Sequence, residues 1–173
     1  MSERYSAALP ITHVVLRILV ILNWLYGAAI FVLLVAMPTR AWIMSALQLS
    51  PGPDAERVIF GLRSIAAIGL VTIPINYVIL KRLVAIVETV RAGHAFVSAN
   101  APRLQTIAWG LLALQVLSIV IGFIVRMISS PGRPLDINAG FSINGWLAVL
   151  FAFVLARVFA EGTLMREELE GTV

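Results

Sequence analysis

Three stretches of this chain, 18–37, 104–125 and 137–156, contain no charged residue, and a fourth, 58–80, contains only Arg63. A bilayer core about 30 Å thick is crossed by roughly 20 helical residues, so each stretch is long enough to span it. A chain of 173 residues folding in water has no interior large enough to hide four such segments. The pattern predicts an all-α membrane protein, an antiparallel four-helix transmembrane bundle. It forms one domain over 1–173, with spans at about 14–37, 58–80, 104–128 and 143–164. The first stretch is too long for a signal-peptide core and lacks a small-x-small cleavage site, so it reads as an uncleaved span.

Charge placement sets the orientation. Arg4, Arg17, Lys81, Arg82, Arg91, Arg103, Arg157 and Arg166 fall on one side of the predicted spans. Arg40, Arg57, Arg63, Arg126 and Arg133 fall on the other. The excess of basic residues places both termini and the 81–103 connection in the cytoplasm. The net charge of +4 does not point to direct nucleic-acid binding, because the basic residues flank spans instead of forming one patch. They read as orientation signals and contacts to anionic lipid. The chain has no cysteine, which excludes disulfides and thiolate chemistry.

The connections carry their own patterns. In the first, 41–49 is a short amphipathic stretch followed by the breaker run Ser50-Pro51-Gly52-Pro53. In the second, Leu83, Ile86, Val87 and Val90 recur at helical spacing. The second span is therefore predicted to continue as a cytoplasmic helical extension to Ala92, ending on a left-handed Gly93. A new helix starts near Asn100–Pro102, with Asn as the cap and Pro in the first turn. In the third connection, Leu135 to Asn144 alternates apolar and polar residues, which fits either a small hairpin or an irregular loop.

Polar residues at membrane depth are the default functional candidates. Arg63 can snorkel outward to water or phosphate. Asn23, Asn76 and Gln115 can hydrogen-bond between helices, each contributing about 1 kcal/mol or less. No carboxylate accompanies them, so they do not form a cation or proton relay. Pro74 is expected to kink the second span. Ala148, Ala152, Ala156 and Ala160, at four-residue spacing, form a helix-packing stripe on the fourth span. Gly61, Gly69, Ser118 and Gly122 offer it shallow counterparts. Packing within one chain and a homodimer seam are both open to this stripe.

Two segments resemble a bacterial family of small four-helix membrane proteins known as a domain of unknown function. The first is carried by Gly93, Phe96, Asn100, Arg103, Leu104 and Ile107, the second by Phe159, Gly162, Glu167, Glu168, Thr172 and Val173. Ala95, Met165 and Gly171 depart from the pattern, standing where Pro, Leu and Leu are usual. The resemblance implies an inner-membrane protein without an assigned activity, often encoded beside a small Cro-like helix-turn-helix regulator. On that implication, Gly93, Phe96, Asn100, Arg103, Glu167 and Glu168 are the candidate partner contacts.

Two functions compete. One is a non-enzymatic regulatory or scaffold component contacting a soluble cytoplasmic partner. The other is a small transporter or channel subunit lined by Arg63, Asn76 and Gln115. An enzyme is not expected, because neither His13 nor His94 sits in a pattern suited to nucleophilic or metal chemistry. No cofactor is implied.

Overall fold

The computed structural model describes residues 2–36, 45, 52–94, 96–129 and 139–171. Among them, four long helices follow one another: α1 (Ser2–Ala36), α2 (Pro53–Arg91), α3 (Asn100–Ile128) and α4 (Ile143–Gly171). Each contains a segment long and apolar enough to cross a membrane, at Thr12–Val35, Asp54–Arg91, Asn100–Ile128 and Ile143–Met165. The amphipathic stretch 41–49 lies, apart from Ser45, outside the described residues, as do residues 135–138 of the alternating 135–144 segment. The part of that segment that is described, 139–144, holds no strand and enters α4 at Ile143.

Local sequence accounts for the helix ends. Pro53 occupies the first turn of α2, with Asp54 and Glu56 beside the positive end of the helix dipole. The Gly52 carbonyl accepts from the N–H groups of Ala55 and Glu56 at 3.1 and 3.3 Å. The helix then runs through Pro74 without interruption to Arg91. Gly93 takes φ +80°, and its N–H donates to Val90 O while the His94 N–H donates to Thr89 O. That pair of bonds is a Schellman stop, and the left-handed residue it needs is the glycine predicted from sequence. Ser142 caps α4: its Oγ accepts from the Gly145 N–H at 3.2 Å, and its carbonyl accepts from Trp146 N–H at 3.1 Å.

The helices pack in chain order, α1 on α2, α2 on α3 and α3 on α4. Among the described residues no Cα of α1 comes within 8 Å of α3 or α4. The contacts run in opposite chain directions along each seam. On α1 and α2, His13 meets Glu88 while Gly27 faces Ile73. On α2 and α3, Thr89 meets Asn100 while Gly61 faces Ile128. The main buried cluster joins Ile79 of α2, Leu104 and Ile107 of α3, and Ala156 of α4.

The alanine stripe of α4 divides. Ala156 is buried in that cluster, Ala152 and Ala160 are half-buried, and Ala148 is exposed. A strict four-residue repeat drifts about 40° per step at 3.6 residues per turn, so over three steps it leaves the packing face. The face that does pack follows Gly145, Val149, Ala152, Ala156 and Thr163. The expected small-residue counterparts on α2 and α3 also meet other partners. Gly61 faces Ile128 and Ile124 of α3, Gly69 faces Ile30 of α1, and Gly122 faces the backbone of Gly140.

Candidate functional site

At one end of the molecule the turn between α2 and α3 is tied in two ways. Asn100 has no accessible surface. Its Nδ2 donates to Thr89 Oγ1 at 2.9 Å, and its Oδ1 accepts from Arg103 Nη1 at 3.0 Å. The same Arg103 nitrogen donates to the Ala85 carbonyl at 3.1 Å. A buried amide is costly unless its polar atoms are bonded, and here Thr89 of α2 and Arg103 of α3 supply the partners. Asn100 is thus the first residue of α3 and a bridge to α2, not the cap predicted from its residue type. The cap position falls on Ala99.

The other tie reaches α4. The Phe96 ring lies 5.1 Å from that of Phe159, and a Cβ added at Gly162 would come within 3.0 Å of the Phe96 ring. Gly162 therefore provides the space into which Phe96 packs. The two segments singled out in the sequence, 66 residues apart at Phe96 and Gly162, form one composite surface. On it Gly93, His94, Ser98 and Ala99 are exposed, Phe96 keeps 43% of its surface and Glu168 is exposed. The side chain of Glu167 lies outside the described residues. Asn100 and Arg103 turn their polar atoms inward.

The polar groups at membrane depth separate. Gln115 is buried, and its Nε2 donates to the Ser142 carbonyl at 3.4 Å, with its Oε1 against Gly145. One turn on, Ser118 Oγ donates to Gly140 O at 3.1 Å and accepts from Gly140 N–H at 3.2 Å. A Cβ at Gly122 would meet the Gly140 Cα at 2.7 Å. Gln115, Ser118 and Gly122 thus hold the backbone entering α4, and Gly140 takes φ +128° to fit. Asn23 donates from Nδ2 to Ile73 O at 3.1 Å, beside Pro74. Arg63 is exposed on α2.

Asn76 lines an open groove of about 340 Å³ between α1 and the α2–α3 pair, together with Asn23 and Tyr26. The rest of the lining is leucine and isoleucine, and neither Arg63 nor Gln115 reaches it. Sequence reasoning flagged Asn100, Phe96, Gln115 and Gly122 but missed Thr89 and Ser142. Ser142 carried a readable signal, a serine three residues ahead of the Gly145 N–H that it caps.

Four helices of spanning length packed in a row, three of them around a small apolar cluster, define an all-helical protein of multi-pass membrane character. The chain belongs to the family described as "Protein of unknown function (DUF2975)", whose model matches residues 45–173. The match takes in α2, α3 and α4, including both ties at the α2–α3 turn. No curated protein and no solved structure matches the chain.

Proposed function

We propose that this protein is a non-enzymatic regulatory or scaffold component of the bacterial inner membrane that presents a composite cytoplasmic surface to a soluble protein. Its four helices cross the bilayer antiparallel, with both termini and the α2–α3 turn in the cytoplasm. The apolar side chains that cover its outside support this reading; Phe60, Phe141 and Phe151 each expose more than two thirds of their surface. Water does not tolerate contiguous apolar area of that extent, whereas lipid does. The excess of Lys and Arg on the α2–α3 side supports the orientation.

The single observation behind the partner surface is the packing of Phe96 against Phe159 and Gly162, which joins the two family-like segments. The exposed positions 93, 94, 98 and 99 then stand beside the α4 tail. A small helix-turn-helix regulator is the proposed class of partner. Over a transport path this reading is favoured by Gln115 being hydrogen-bonded to the start of α4 and lying outside the groove.

A photoreactive residue at position 94 or 98 in the native cell tests it. A cross-link to a soluble helix-turn-helix protein, weakened by Gly162→Leu, is the expected result. Cross-links to lipid or to the chain itself alone would refute the partner surface. Flux of any solute across vesicles holding the pure protein would favour the transporter.

A further inference from the structure

The contacts between α1 and α2 fix a common height for three cations. His13 meets Glu88 and Asn23 meets Ile73, so Arg17 on α1 lies level with Lys81 and Arg82 on α2. All three side chains are exposed. Among the described residues none of them forms an ion pair, while Glu88 and Glu161 are held by His13 and Arg157. Just inside this level, the Trp24 ring lies edge-on to Tyr77 at 5.7 Å, and Lys81 Nζ sits 6.0 Å from the Tyr77 centroid. Aromatic rings beneath a belt of cations mark the depth of lipid headgroups.

The groove opens at the same place. On α1 it runs from Leu19 to Tyr26, about 10 Å at the helical rise, and on α2 it ends at Leu80, next to Lys81. Asn76 lies five residues from Lys81, about 7.5 Å deeper along α2. It lines a groove whose other walls are leucine and isoleucine apart from Tyr26 and Asn23, the latter already donating to Ile73 O, and among the described residues Asn76 makes no side-chain hydrogen bond. An amide at this depth needs a partner that the surrounding hydrocarbon does not supply.

We infer that the groove and the three cations form one binding site for an anionic glycerophospholipid. One acyl chain lies against Leu22, Ile79 and Leu114, the Asn76 amide donates to an ester carbonyl, and Arg17, Lys81 and Arg82 receive the phosphate. The excess of unpaired positive charge at the mouth selects an anionic over a zwitterionic headgroup. This inference rests on the chain being inserted in a bilayer and is independent of any soluble partner.

The test is lipid retention by the full chain, reconstituted in mixed phosphatidylcholine and phosphatidylglycerol vesicles, then extracted into mild detergent and weighed by native mass spectrometry. One phosphatidylglycerol per chain is expected, favoured roughly tenfold over phosphatidylcholine, as three surface cations can supply. The triple variant Arg17→Gln, Lys81→Gln, Arg82→Gln brings that preference to about unity. Leu22→Phe with Leu114→Phe fills the groove and lowers retention of both lipids. Should that pair fail to match the parent in helix content and elution, the near-isosteric Asn76→Leu takes its place and lowers retention likewise. Equal retention of the two lipids by the parent overturns the site, as does a preference that survives the charge changes. A free fatty acid or an isoprenoid as the retained species overturns it as well. Failure of the parent chain to float with the vesicles overturns insertion itself, a separate result read before any extraction.

Discussion

Helices α1 and α3 are alike in apolar content and unlike in what they bury. In their most apolar windows 6% of α1 is buried against 22% of α3. The difference lies in their small and polar residues. Gly110 lets Ile79 sit against α3, Gly122 lets the Gly140 backbone do so, and Asn100, Gln115 and Ser118 bond outward to other elements. On α1, the corresponding contacts all go to α2: His13 meets Glu88, and Asn23 and Gly27 meet Ile73. Between lipid-soluble helices apolar content confers no preference for a neighbour, so close approach and hydrogen bonding decide who packs with whom.

That contrast can be broken most sharply at Gly122. Gly122→Ala pushes a Cβ against backbone atoms that have nowhere to go, and should cost about 3 kcal/mol of unfolding free energy in mixed micelles. Ala28→Leu, on the exposed side of α1, should change the same measurement by no more than about 0.5 kcal/mol. Equal losses at the two sites would remove the distinction between these helices.

A second pair lies within α4. Ala156→Leu overpacks the Ile79–Leu104–Ile107 cluster and should cost about 2 kcal/mol, whereas Ala148→Leu should be close to neutral. A loss at Ala148 that grows with protein concentration would instead reveal a seam between copies of the chain. Next come the asparagines. Asn100→Ala leaves Thr89 and Arg103 short of a partner and should cost about 1–2 kcal/mol. Asn23→Ala removes a single bond between spanning helices and should cost ~0.6 kcal/mol. Thermal melts followed by circular dichroism rank the two.

Among the close contacts, the smallest effect is predicted at Gly162→Ala. The atoms it meets belong to the Phe96 side chain, which is 43% exposed, and not to backbone, so ~0.5 kcal/mol is expected. Its signature is a change in proteolytic cutting near His94, not in melting temperature.

These regions also differ in how far the sequence announced them. The stop of α2 was legible because it depends on residues next to one another, Gly93 acting within one turn, whereas Pro53, read as part of a breaker run, stands in the first turn of α2. The role of Asn100 was not, because its residue type suits a cap and its bonding partner Thr89 lies on the preceding helix. Apolar length located the four helices but carried no information about order in space, since every face of such a helix is compatible with lipid. The alanine stripe misdirected for a geometric reason, its period being four where the packing face follows one nearer 3.5. The meeting of Phe96 with Gly162 had no local trace, although both lay in segments that drew notice for another reason. Gln115 was visible as a polar residue at depth, but its acceptor is a backbone carbonyl, which no side-chain pattern encodes.

The clasp that Gln115 and Ser118 close on Gly140 and Ser142 bears on how the chain is made. A ribosome adding about 5–20 residues per second finishes Ile128 roughly a second before it reaches Ser142. During that interval two polar side chains of a finished helix lack their acceptors. For a chain inserted in a bilayer as proposed above, pairing α3 with the start of α4 before either meets lipid satisfies those groups and favours entry of the two helices as a hairpin.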